Sequence, residues 1–444
     1  MKRFTVFVLL IIGSLTLASV YSMADKLPAK SHSILVVENL KENYGVTKQT
    51  VLMDMVLNQL AIEQLIAQYV EMLAYNNGLD PKDIYKAFDR DFGLAVWVDS
   101  EGDDRFVAVF GPIDNPKTLK SAIEKVLPQL LPSDFNLNIA ADQDYLYIGD
   151  LEPYSLAEKG FDLDLVIAEL SPGFGYFYSA TGDSIQKGSI WNGEEVLIAE
   201  VLSIPQSEES REKFFEILSG ASISELEVGR HLPLVSGSVK INNLSFLSDL
   251  DVEQMGLIPL DLEALRIGNL SISELSEDMN GEIMIDANIS VDDIFASLMG
   301  TGGTTTESTD SVGYSYVVRA SYKGTLDRIK FMIEEAEPNL KVLVSNDSLL
   351  VEGQYIWIQD GWLFVSSKNQ TQTTEALNNG VIVSELATYN KLLDFTGLEG
   401  FARLFVDSGY ILTGLMGLEI ESGVLLNSQY LEEMGGVRSL IVIM

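Results

Sequence analysis

The sequence predicts an α+β fold of two related modules, each an antiparallel β-sheet with helices packed on one face. Three observations carry that expectation. The chain has 444 residues, 47% of them hydrophobic and 21% charged, and a single hydrophobic core stops growing near about 250–300 residues, so two cores are implied. Apolar residues recur at helical spacing in some stretches and alternate in others, in the order strand, strand, helix, strand, strand. That order occurs twice, with matching residues in each copy.

Residues 1–24 have the form of a signal peptide. Lys2 and Arg3 make a basic start, Phe4 to Leu17 an apolar run, and the small residues that follow suit cleavage after Ser22 or Ala24. Phe4 to Tyr21 is also 18 residues without charge, at the lower limit for a span, which makes an uncleaved N-terminal tether the alternative. Ser33 to Val37 is strand-like. From Lys48 to Tyr75, apolar residues including Leu52, Met55, Ile62, Leu65, Tyr69 and Leu73 recur at helical spacing and predict one long helix packed on a sheet. Asp80-Pro81 supplies a cap and a first-turn proline for a short helix to Phe88. Gly93 to Val98 and Phe106 to Phe110 flank the acidic loop Asp99 to Asp104 as a hairpin. Asp114-Asn115-Pro116 opens a helix to about Leu127, and Leu137 to Ala140 and Tyr145 to Gly149 form a second hairpin.

Setting Phe106 against Tyr316 brings Leu119 onto Ile329, Lys120 onto Lys330, Ile123 onto Ile333, Glu124 onto Glu334 and Pro128 onto Pro338. After seven inserted residues, Tyr145 to Gly149 meets Trp362 to Ser366. This implies an internal duplication, with an N-terminal module over 25–235 and a C-terminal module over 236–444. The second copy carries a Gly- and Thr-rich insertion at 300–313, expected to be a flexible loop, preceded by a short apolar helix from Ile294 to Met299.

The charge balance is 65 acidic against 29 basic residues, a formal net charge of -36. Such a field repels phosphate backbones and excludes nucleic acid as a partner. No stretch after the N-terminal segment is long and apolar enough to span a membrane. With no cysteine, disulfides, thiolate metal sites, iron–sulfur clusters and thiol nucleophiles are excluded.

Catalytic kits are sought mostly in vain. His32 and His231 are the only histidines, too few for zinc and placed in an extended segment and a linker, and no G-x-S-x-G elbow or phosphate-binding loop occurs. Asp407-Ser408-Gly409 matches the aspartic-protease tripeptide, but the corresponding stretch from Tyr178 to Gly182 has no aspartate. The loop Asp99 to Asp104 lacks the register of a calcium loop. Of the four tryptophans, Trp97, Trp191, Trp357 and Trp362, the last two lie on a hairpin turning at Asp360-Gly361, where exposed aromatics could stack on sugars, with core and cross-strand packing the commoner use. No catalytic, cofactor-binding or metal residue follows, and no cofactor is expected.

The early helix, the helix opened by Leu79-Asp80, Phe92-Gly-Leu-Ala-Val-Trp-Val98, Val107 to Phe110 followed by Asp114-Asn-Pro-Lys-Thr-Leu119, and Tyr145-Leu-Tyr-Ile-Gly149 together resemble an exported bacterial family catalogued as domain of unknown function 3352. The resemblance covers most of the mature chain, rests on packing motifs, and implies no activity and no functional residues. The sequence as a whole points to a secreted or periplasmic, non-enzymatic protein that binds an envelope or extracellular protein, or an apolar ligand. The alternative is a carboxylate-dependent hydrolase acting on a glycan or envelope polymer.

Overall fold

A computed structural model of the chain describes residues 20–54, 57, 62–85, 89–130, 137–150, 159–223, 230–231, 234–242, 266–267, 270–271, 275, 278–288, 315–345, 347–417 and 419–444. The expected insertion at 300–313 and the helix from Ile294 to Met299 lie outside them. Two compact units divide the chain, Met1–Leu202 and Ser203–Met444. The division falls before the helix Glu208–Leu218, whose Phe214, Ile217 and Leu218 belong to the core of the second unit.

The fold class differs from the expectation. The chain is β-rich: eighteen strands belong to one antiparallel hydrogen-bonded sheet, rather than to two sheets each backed by helices on one face. Hydropathy periods identify strands one at a time. The unpaired N–H and C=O groups along each strand edge decide how many strands a sheet gathers, and no local pattern encodes that number.

The first unit contains α1 (Val20–Ala24), β1 (Ser33–Val37), α2 (Leu40–Thr47), α3 (Val51–Asp54), α4 (Ile62–Asn76), α5 (Pro81–Tyr85), β2 (Asp91–Val98), β3 (Asp104–Gly111), α6 (Pro116–Leu130), β4 (Asn138–Asp142), β5 (Tyr145–Gly149), α7 (Asp164–Ile167), β6 (Gly175–Thr181) and β7 (Ser184–Asn192). Strand β8 (Leu197–Pro205) carries the chain into the second unit. The strands pair in the order β4-β5-β3-β2-β1-β6-β7. Alternation gives this sheet two apolar faces. Ile34, Val36, Val107, Val109 and Tyr147 join Met23, Leu27, Phe161 and Val166 in one cluster. Leu146, Ile148, Phe110 and Ile139 gather on the other around Leu119 and Ile123 of α6. Helical segments therefore cover both faces.

The second unit contains α8 (Glu208–Leu218), β9 (Arg230–His231), β10 (Val235–Lys240), β11 (Arg266–Ile267), β12 (Leu270–Ser271), β13 (Met279–Asn288), β14 (Ser315–Tyr322), α9 (Leu326–Ala336), β15 (Leu343–Ser345), β16 (Ser348–Val351), β17 (Gln354–Gln359), β18 (Trp362–Ser366), α10 (Gln370–Asn378), β19 (Val381–Ile382), α11 (Ala387–Thr396), β20 (Ala402–Val406), α12 (Ser408–Met416), β21 (Val424–Leu431) and β22 (Gly436–Ile443). Its ladder runs β15-β16-β17-β18-β14-β13-β10-β20-β21-β22. Ile329 and Ile333 of α9 pack with Val318, Ala320, Leu363 and Val365 on one face. On the other, Tyr389 of α11 meets Phe405 edge-on with ring centroids 5.4 Å apart.

The order β5-β3-β2-β1-β6-β7 of the first unit has the same chain sequence of pairings as β18-β14-β13-β10-β20-β21 of the second. Val107 lies opposite Gly149 in one and Val317 opposite Ser366 in the other, at the positions the sequence alignment equates. Lys120–Glu124 and Lys330–Glu334 are each held at 3.5 Å across one helical turn.

Local elements follow their signals closely where they are described. Of the long helix expected from Lys48 to Tyr75, Val51–Asp54 and Ile62–Asn76 are helical, and a turn at 48–50 separates them from α2. Thr47 and Thr50 are buried, and the Thr50 hydroxyl donates to the Thr47 carbonyl at 3.0 Å, taking an acceptor that a continuing helix would use. Downstream, α4 presents Leu65, Tyr69, Met72 and Tyr75 to solvent rather than to a sheet.

Ile333, on the buried face of α9, is 1% exposed. Replacing it with Asp removes a packed side chain and buries a charge without a partner, and is expected to cost about 4 kcal/mol or more. Ile123→Asp, at a half-buried position, should cost less. Urea unfolding monitored by tryptophan fluorescence checks both, and a wild-type midpoint for Ile333→Asp would contradict the packing described.

Candidate functional site

A shallow groove in the second unit lies between α8 and the turn joining β21 to β22. Ser207 starts α8 by accepting the Ser210 N–H at 3.1 Å. Phe214, Ile217 and Leu218 turn one side of the helix into the core. The helical period then leaves Glu208, Glu212, Phe215 and Glu216 on the outer side, one turn apart from one another or adjacent. The turn brings Glu432 and Glu433 up against this stripe, and the Ser219 hydroxyl donates to Glu432 Oε1 at 3.2 Å, tying the helix end to the turn.

The resulting groove has a volume of about 590 Å³ and is lined by five glutamates against one arginine, with Phe215, Tyr430 and Met434 supplying apolar surface. Arg211 donates through Nε to the Pro205 carbonyl at 3.1 Å, which fixes the single cation at one wall. Burial, and then the nearby Glu432 carboxylate, push the Tyr430 phenol above its ordinary range, keeping it a donor at neutral pH. Phe215 is 53% exposed, a large aromatic held at the surface between acidic neighbours. The chemistry on offer is attraction of positive charge together with a flat apolar contact.

Neither half of this groove stands out in sequence. Charged residues at helical spacing usually mark a solvated face, and only the pairing of β21 with β22 brings the second pair of glutamates to the first three. The exposed Phe215 next to buried Phe214 is the one local hint, since two adjacent aromatics on a helix cannot share its buried face.

The residues weighed from sequence are placed elsewhere. Asp407 is the N-cap of α12, accepting the Tyr410 N–H at 3.0 Å, while Ser408 bonds Ser422 at 2.7 Å. Burial raises the Asp407 carboxyl above its usual range against the lowering effect of the Tyr410 and Gly409 N–H groups. The tripeptide is a packed helix start. Trp357 is 1% exposed and stacks on Phe364 with centroids 5.0 Å apart, so that hairpin packs its indole rather than offering it to a sugar. In the acidic loop, Asp99 accepts the Glu101 and Asp103 N–H groups and Arg105 Nε at 2.7 Å, which organises the turn and draws the Asp99 carboxyl below its usual range, the Arg105 bond first among the causes. His231 lies in the two-residue strand β9, opposite Val381.

His32 Nδ1 lies 3.1 Å from Ser33 Oγ, and its Nε2 is 3.4 Å from Asp104. These are the residue types of a hydrolytic triad, but the Asp104 side chain is 75% exposed where a triad buries its carboxylate. Ser33 also bonds Ser179 across the ladder at 3.0 Å. The three residues lie on or next to strands that pair through β2 in one ladder.

No protein family, no curated protein and no solved structure matches this chain.

The raised Asp407 carboxyl yields a clear expectation. Its ionised form is disfavoured by burial, while its acceptor oxygen is needed by the helix. Asp407→Asn keeps the cap without the charge and should leave stability at pH 7 unchanged or slightly higher, whereas Asp407→Ala should cost about 1 kcal/mol. Because the raised pKa makes the native carboxyl hold its proton longer, the stability that Asp407 contributes relative to Asn should be greatest at acid pH and fall as pH rises through the carboxylate range. Denaturation midpoints of the three proteins between pH 3 and 7, on the order of the carboxylate range, provide the check.

Proposed function

We propose that this is an exported, non-enzymatic binding protein whose second unit receives a positively charged amphipathic segment of an envelope or extracellular protein. The observation that carries this reading is the groove of five glutamates and one arginine around an exposed phenylalanine. An amphipathic basic helix places Lys or Arg beside an apolar stripe at the same spacing as Glu212, Phe215 and Glu216. Exposed carboxylates steer such a partner and set its salt dependence, and the aromatic supplies the desolvated contact. A neutral apolar ligand fits less well among five carboxylates.

Hydrolysis is the weaker reading. A general acid is held protonated by burial or a close like charge, and all five groove glutamates are exposed. Export is supported by the basic start and apolar run of the N-terminal segment, and among the described residues no helix is long and apolar enough to cross a membrane. The shared order and register of the strand pairings support an internal repeat. Membership of the exported family that the packing motifs resemble belongs to the same reading and adds no activity to it.

A synthetic helical peptide of lysine and leucine, titrated by calorimetry, is the probe. Binding should weaken steeply with ionic strength. Phe215→Ala should reduce affinity about tenfold, and Glu212→Lys with Glu216→Lys should abolish the salt dependence. Affinity unaffected by all three substitutions would remove the groove from consideration.

A further inference from the structure

The segment that contains both expected cleavage points is built into the core of the first unit. Met23, Ala24 and Leu27 are 0%, 1% and 0% exposed and share a cluster with Ile34, Val36, Ala95, Val107 and Val109. Backbone bonds hold the segment on both sides: the Phe161 N–H donates to the Ala24 carbonyl at 3.1 Å, and the Gly160 N–H to the Leu27 carbonyl at 2.9 Å. Tyr21 Oη donates to Asp164 at 3.0 Å. Strand β2 is shaped to receive it, because a Cβ on Gly93 would lie 2.9 Å from both Cγ and Sδ of Met23.

Neither expected cut is compatible with this packing. Cleavage after Ala24 would delete Met23 and Ala24 and leave a void over Gly93. Cleavage after Ser22 would cut α1 immediately ahead of the wholly buried Met23 and remove Tyr21, whose hydroxyl donates to Asp164. Retention as a membrane tether fits no better. With α1 folded into the unit, the uncharged run available to a bilayer shrinks to Phe4 through Ser19, 16 residues, short of the roughly 17–25 that a spanning helix needs.

We propose that the export signal is removed between Ala18 and Ser19, so that the mature chain begins just ahead of α1. Ala18 and Thr16 then occupy the first and third positions before the cut, both short side chains. The preceding apolar run, Phe4 to Leu17, has 14 residues, within the roughly 7–15 of a signal core. The inference rests on the export reading, and its test separates the two.

The full chain is expressed with its own N-terminus in a secreting bacterial host, and the protein outside the cytoplasm is examined by intact mass and N-terminal sequencing. A start at Ser19 is expected. An exported chain starting at Met23 or Asp25, or one retaining Met1 on the membrane, overturns the cleavage position while leaving export intact. An uncut chain confined to the cytosol overturns export as well. Ala18→Leu should leave precursor unprocessed, whereas Ser22→Leu, at an exposed position, should not change processing, and the reverse pattern overturns the assignment. Met23→Asp should lower the unfolding midpoint, and an unchanged midpoint would show that α1 is dispensable to the core.

Discussion

Successive side chains of a strand point to opposite faces, and this one constraint organises each unit. A sheet covered on both faces must carry two apolar sets in the same strands. Leu146 and Ile148 of β5 serve the α6 side while Tyr147 between them serves the α1 side. In the second unit Ala402 belongs to the cluster under α9, and Phe405, of opposite parity on β20, packs on Tyr389 of α11. A one-residue slip in any of these strands would exchange the two sets and misplace every helix that depends on them.

Polar groups in central strands obey the same geometry under a harsher rule. Asp286 of β13 is 0% exposed, accepting Ser236 of β10 at 2.8 Å and Arg319 of β14 at 2.6 Å, so three neighbouring strands satisfy one carboxylate. Arg403 of β20 is 2% exposed and donates to Asn427 at 3.3 Å and Tyr389 at 3.2 Å. Removing one partner from such a buried set costs about 3–5 kcal/mol, more than the intact set is worth over an apolar replacement. Their effect is to make a single strand register acceptable, since any shift strands a charge.

How much of this is legible in sequence depends on the range of the interaction. Ser33 to Val37, the Asp80-Pro81 helix start and the hairpins are written in adjacent residues. Asp360 and Gly361, at φ 52° and 80°, adopt the left-handed turn their identities announce. Beyond that range the code thins. Pairing of β1 with β6 joins Ile34 to Tyr178, and nothing near either residue specifies the other. The placement of helical segments on both faces was hidden for a related reason: in β5 the residues of both faces are apolar, so alternation of apolar and polar residues, the usual pointer to a single buried face, is missing. The groove escapes because it exists only where α8 meets a turn more than two hundred positions away, as Ser219 meets Glu432. The turn after Thr47, which ends α2 ahead of the expected helix, is legible in principle, since hydroxyl side chains compete for helix carbonyls.

The outermost strand of the second unit's ladder is β15, three residues long, with Leu343 and Val344 46% and 61% exposed. Among the described residues it pairs on one side only, with β16. An apolar strand with a bare flank is a template for fibre growth when it is long and flat. Here the flank offers at most a few hydrogen bonds before Lys341 on one side and Asp347 on the other introduce charge. A neighbouring molecule that docked there would gain too little backbone bonding to offset its loss of freedom. The brevity of this strand thus bears on association more than on folding: a three-residue edge gives a second molecule little to pair with.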